Sequence, residues 1–346
     1  MRLLAFVLFA VALHAAAPFY SDKQNLLSSI DAHGRPQPVR SRRDWEKRRR
    51  HIVENMQLVM GPLPSRKPPR PEFTVIEEAS FPSYTRQKIT FASGEDRVPA
   101  YLLIPKNRTG KLPAMLCLHQ TIRIGKAEPA GLGSNPNLRY AVELTERGYV
   151  TIAPDYPNFG DYVFDPYANG YASTTMKGIW NHMRAVDLLQ SLAIVDPKRI
   201  GVIGHSLGGH NSLFVAAFDP RIRAVVSSCG FNAFPKYKGG DLTGWSHKGY
   251  MPRIASEYAK DPAKMPFDFT EILAAIAPRA VFVNAPERDT NFEISGVRDC
   301  LNAARPVYDR IFGAAGRLVA MHPDAAHEFP RAVRETAYKF LDGNLR

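Results

Sequence analysis

Cysteine is scarce in this chain, with only Cys117, Cys229 and Cys300 in 346 residues. A count so low and odd excludes a disulfide-built scaffold. Acids are also short, 33 against 45 Lys and Arg, for a net charge of +12. Beyond the first residues no stretch approaches 18 uninterrupted apolar positions, so no membrane insertion is expected. There is no G-x-x-x-x-G-K phosphate loop and no H-E-x-x-H pair. Gly201-x-x-Gly204 lacks the rest of a dinucleotide fingerprint. His205 and His210, like His322 and His327, stand five apart, which is not the i, i+4 spacing of a helical zinc site. No cofactor and no metal are therefore expected. No internal repeat is visible.

What is present reads as a globular protein: 45% hydrophobic and 23% charged residues, in a length that suits one large α/β domain with additions. Residues 1–17 read as a signal peptide. Arg2 precedes an apolar run of 11 residues, Leu3 to Leu13, and small residues follow at Ala15, Ala16 and Ala17. A secreted or periplasmic location is expected from this.

Residues 35–70 carry eleven Lys or Arg, among them Arg42, Arg43, Lys47, Arg48, Arg49 and Arg50, against Asp44, Glu46 and Glu54. No nucleic-acid module accompanies the run, so it reads as a solvated helix face and no nucleic-acid partner is expected. Apolar residues at helical spacing predict a helix over Asp44–Met60, stopped by Gly61-Pro62. Five prolines between 61 and 71 make an extended connector. Residues 18–71 form an N-terminal appendage with an irregular first part, and residues 72–346 form the main domain.

Three strands, Phe73–Glu77, Tyr84–Phe91 and Val98–Ile104, predict a β-meander. From Leu112 onward strands and helices alternate, with strands at 114–118, 150–153, 200–203, 224–228, 280–284 and 318–321. Such alternation predicts a mostly parallel, doubly wound sheet covered on both faces. The stretch 231–270 breaks the alternation and is rich in aromatics. It reads as a lid or cap insertion.

The richest local signal is Gly204-His205-Ser206-Leu207-Gly208, a G-x-S-x-G between a predicted strand and a predicted helix. That context lifts a serine above a sheet on a sharp turn. A serine hydroxyl needs a base and oxyanion donors to act as a nucleophile. In the order serine, acid, histidine, the loop after strand 280–284 offers Asp289, with Glu287 behind it and then Asp324 from the loop after strand 318–321. The loop after strand 318–321 offers His327, with His322 behind it. The oxyanion donors are expected to be the N–H of Leu207 and that of Thr121, with Gln120 second.

These segments resemble the α/β-hydrolase superfamily over roughly residues 84–345. The resemblance rests on Asp196 to Gly209, on Ala277-Pro278-Arg279 before the strand leading to Asp289, and on His327-Glu328-Phe329-Pro330. Within it the chain is most similar to bacterial dienelactone-hydrolase-like and acetyl-xylan-esterase-like proteins, with motifs shared by prolyl-oligopeptidase catalytic domains. His119-Gln120 stands where such proteins usually read His-Gly, which leaves the oxyanion geometry open. The resemblance implies a serine esterase working through an acyl-enzyme on a small-molecule or carbohydrate ester. A peptidase or amidase with the same triad, and a non-catalytic binding protein on the same fold, are the alternatives.

Overall fold

The computed structural model describes residues 17–64 and 71–346. The proposed signal peptide lies almost entirely outside the described residues, as do Arg66, Lys67, Pro68, Pro69 and Arg70 of the connector.

Two short strands, β1 (Ser28–Ile30) and β2 (Pro36–Pro38), pair antiparallel in the segment expected to be irregular. Asp31 explains them. Its carboxylate accepts from the N–H groups of His33 and Arg35 and closes the turn between the strands.

Helix α1 (Arg42–Met60) begins with a capping box in which Ser41 and Asp44 satisfy each other's backbone N–H. It ends at Gly61, whose φ of 91° and 2.6 Å clearance to Ala172 Cβ leave no room for a side chain. Its face of Trp45, Ile52, Met56 and Val59 joins the same core as the main sheet. The solvated-face reading fails at two positions. Arg48 is buried against Glu271 and over the Tyr20 ring, and Arg49 reaches the carbonyls of Ala217 and Ala275.

A nine-stranded sheet dominates, in the order β11-β10-β9-β8-β6-β7-β5-β4-β3. The antiparallel meander is β3 (Phe73–Ser80), β4 (Tyr84–Ser93) and β5 (Asp96–Pro105). β5 runs antiparallel to β7 (Val150–Pro154). The remaining neighbours, β6 (Leu112–Leu118), β8 (Val195–His205), β9 (Ile222–Ser228), β10 (Ala280–Asn284) and β11 (Leu318–Met321), pair parallel. β6, β7 and β10 are buried at every residue, because helices cover both faces.

The covering helices are α2 (Tyr140–Glu146), α3 (Thr174–Ser191), α4 (Leu207–Phe218), α6 (Phe269–Ile276), α7 (Ile294–Pro306) and α8 (Arg331–Leu345), with the one-turn α5 (Arg253–Ser256) in the insertion. The insertion between β9 and β10 contains no strand. Its Phe231, Phe234, Trp245, Phe267 and Phe269 are buried and stack on one another and on Phe214 of α4.

After β6 the chain turns to β7 on one side and then crosses to β8 on the other. The loops leaving β6 and β8 therefore diverge, and a crevice opens outside their carboxyl ends.

Candidate active site

Ser206 sits in that crevice, between β8 and α4, with φ 54° and ψ −115°. A non-glycine residue held there stores strain of order 1–3 kcal/mol. The surroundings enforce it. Ser206 N–H donates to the Ser228 carbonyl at 2.8 Å, and the Ser206 carbonyl accepts from Gly209 and His210. The flanking glycines are steric necessities. A Cβ on Gly204 would meet the Gly208 carbonyl oxygen at 2.2 Å, and one on Gly208 would meet the Leu118 oxygen at 1.9 Å.

His327 and Asp289 come together from two different loops. His327 Nδ1 lies 2.8 Å from Asp289 Oδ2, with the histidine side chain 30% exposed and the aspartate 1%. Asp289 Oδ1 accepts from the N–H of Asn291 and of Phe292. Burial alone would raise the Asp289 pKa. The His327 hydrogen bond and charge, helped by the two N–H groups, outweigh it and hold the carboxyl below its ordinary value.

A pocket of about 390 Å³ contains Ser206, His327, Gln120, Thr121, Asn135 and His205. Gln120 and Thr121 thus line the same pocket as Ser206. Leu207 opens α4, where a backbone N–H has no acceptor within its own helix. The departure at His119-Gln120 has a local account. His119 Nε2 accepts from Tyr156 N–H at 3.0 Å, leaving Nδ1 to donate to the Gln120 carbonyl at 2.6 Å, so the buried imidazole pins the loop.

The runners-up are occupied elsewhere. His322 Nδ1 faces the Ala285 carbonyl at 2.9 Å. Glu287 pairs with Arg298, and Asp324 pairs with Arg288.

Three residues were not expected beside the site. His205 is buried with its ring centroid 5.0 Å from that of His327, and Nδ1 is 2.9 Å from Ser228 Oγ. Burial, then the nearby His327, pushes its pKa down to about 3, so it is a neutral neighbour. Asn284 donates to Ser228 Oγ and to the Glu328 carbonyl, which ties the His327 loop to β10. Cys229 Sγ also lies 3.3 Å from the Glu328 carbonyl. His205 lies inside the G-x-S-x-G motif but at a position the motif leaves open, and no motif contains Asn284 or Cys229; their position at strand ends beside the elbow was the only signal. Cys229, Asp289 and His327 offer ligand-type atoms within 4.8 Å of one another, but the carboxylate–imidazole bond already engages two of the three.

A profile of fungal glucuronyl esterases matches residues 155–312. A putative hydrolase, YtaP of Bacillus subtilis, is 28% identical over 82% of this chain and 95% of its own length. Among solved structures, a glucuronoyl esterase from Solibacter usitatus superposes with a TM-score of 0.71 at 19% identity, covering 95% of this chain and 99% of that one. A putative acetyl xylan esterase from Bacteroides fragilis gives 0.62 at 18% identity, covering 92% of each chain. The chain has the α/β-hydrolase fold. Among proteins of that fold the likeness falls on glucuronoyl and acetyl xylan esterases and is not specific to dienelactone hydrolases or prolyl oligopeptidases. Among the described residues no helix is long and apolar enough to cross a membrane.

Proposed function

We propose that the protein is an exported serine hydrolase of carboxylic esters, with residues 1–17 as the signal peptide, 18–71 as an appendage and 72–346 as the catalytic domain. The observation that carries the reading is the strained Ser206 sharing one pocket with a His327 already oriented by Asp289. Ser206 Oγ attacks the acyl carbon. His327 Nε2 takes its proton, since Nδ1 is engaged by Asp289, and returns it to the leaving alkoxide. Leu207 N–H, with Thr121 or Gln120 N–H, receives the oxyanion. A water activated by His327 then attacks the acyl-enzyme and releases the acid and free Ser206.

The substrate reading follows the lining. Gln120, Asn135, Asn137 and Thr121 present amide and hydroxyl groups, which suit a hydroxylated ester better than a long acyl chain. Names among the similar proteins, glucuronoyl esterase and acetyl xylan esterase, point the same way. The test is p-nitrophenyl acetate hydrolysis by wild type and Ser206→Ala, followed by acetylated and uronate-esterified sugars. The variant is expected to lose on the order of 10⁴ to 10⁶ in turnover. Near-full activity in the folded variant would overturn the mechanism.

A further inference from the structure

A second cavity, of about 710 Å³, opens at the opposite end of the sheet. It lies where β9 and β10 begin, whereas Ser206 and His327 lie where the strands end. Seven residues of β9 at about 3.3 Å each put roughly 20 Å between the two.

Arg49, Arg223, Arg279 and Arg317 line this cavity, beside Phe312 and Asn344, and no acidic side chain does. Two of the arginines have a structural duty. Arg279 donates to the carbonyls of Ala216, Asp219, Ile222 and Ile276, and Arg49 to those of Ala217 and Ala275. These bonds satisfy the carbonyl ends of α4 and α6 and fix both guanidinium groups in place. Among the described residues neither guanidinium forms a salt bridge with an acid. Arg223 and Arg317 are exposed and pair with no acid among the described residues. Arg42 adds a fifth cation, 5.6 Å from the centroid of Phe312. The nearby Asp219 carboxylate is taken by Arg221. Arg279 registers the crowding: burial first, and then Arg49, push its pKa down to about 10.

We propose that this cavity is an oxyanion-binding site, remote from Ser206, for a ligand carrying two or more carboxylate or phosphate groups. The exposed guanidinium forks of Arg223 and Arg317 match either group with two parallel hydrogen bonds, while Arg279, most of whose N–H groups are spent on carbonyls, contributes charge. The volume lies within the range of small-ligand sites. The net charge of +12 adds long-range attraction for an anion. Arg49 and Arg279 are held by backbone carbonyls before any ligand arrives, so part of the ordering cost of binding is already met.

The experiment is calorimetric titration of the mature chain at 0.15 M NaCl with trigalacturonate and, separately, with pyrophosphate. The wild type is expected to bind at least one of them saturably, one to one. Arg223→Gln/Arg317→Gln is expected to bind at least tenfold more weakly. A control with equal charge change in the insertion, Lys260→Gln/Lys264→Gln, is expected to bind like wild type. Binding of the uronate alone assigns the site to an acidic polysaccharide, pyrophosphate alone to a phosphate source, and both to the shared oxyanion chemistry. No saturable binding of either probe, or equal affinity in the arginine variant, overturns the proposal. Hydrolysis of p-nitrophenyl acetate is read in parallel and is expected to be the same in wild type and arginine variant. A failed esterase reading would leave the binding result intact.

Discussion

Asp268 and Asp289 are both buried, and both accept at least two backbone N–H bonds. Their protonation behaviour is opposite. Asp289 has His327 against it and is held below the ordinary carboxylate range. Asp268 is pushed up to about 7. Burial is the main cause, the N–H groups of Phe234 and Phe269 oppose it, and the neighbouring Glu271 adds to it. Backbone N–H donors are thus not enough to hold so deeply buried a carboxyl as Asp268 in the ordinary range; Asp289 is less deeply buried and has in addition the hydrogen bond to His327. The capping box of α1 adds a third case. Asp44 plays the part of Glu271 in an exposed box and its pKa falls, chiefly through Ser41, where that of Glu271 rises through burial.

The sharpest way to break the comparison is to remove the charge that holds His327. Asp289→Asn keeps the shape but offers His327 the wrong partner. It is expected to cut p-nitrophenyl acetate turnover by on the order of 10³ to 10⁴. Circular dichroism checks that the variant is folded, and an unchanged rate would remove Asp289 from the mechanism.

Glu271→Gln attacks the other side. It strands the buried Arg48 guanidinium, and the expected loss is about 3–5 kcal/mol in urea unfolding. A loss under 1 kcal/mol would mean that Arg48 finds another partner or that water enters.

Asp268→Asn tests the sign of the linkage. Asp268 has a folded pKa above its unfolded one, so the folded chain holds a proton that the unfolded chain releases. Its contribution is fully present below about pH 4, is lost as pH rises to about 7, and is flat above. Asn does not titrate, so the fall in stability between pH 4 and 7 should shrink in the variant, by roughly 4 kcal/mol at most. Asp289 works in the other direction, with stability present above pH 4 and lost as pH falls below it. Parallel unfolding curves for wild type and Asp268→Asn across pH 4–7 would contradict the assignment.

The smallest effect is expected at the exposed box. Ser41→Ala removes the acceptor for Asp44 N–H and should cost about 1 kcal/mol, read by the same unfolding assay.

Much of the fold was legible because buried parallel strands are written as unbroken apolar runs and their helices as capped periodic segments. The six predicted parallel strands are all present, and the helix predicted from Asp44 begins two residues earlier, at Arg42, after a Ser41 cap. The errors came where long-range contacts override local pattern. Arg48 reads as a surface cation until α6 brings Glu271, 223 positions away, against it. β1 and β2 are three residues each, too short for any periodicity, and depend on the Asp31 turn.

For the site, G-x-S-x-G is legible because a sharp strand-to-helix turn excludes any Cβ at Gly204 and Gly208. Asp289 and His327 were legible as loop residues after strands, in the expected order. The sequence by itself determined the alternation of elements, the elbow and the order of its companions, because these depend on local sterics and periodicity. Only the tertiary structure decided that Asp289 touches His327, that His205 and Cys229 crowd the same corner, and that five arginines converge without an acid at the far end of the sheet. Distance, burial and charge balance are properties of chain segments brought together, and no window of sequence contains both partners.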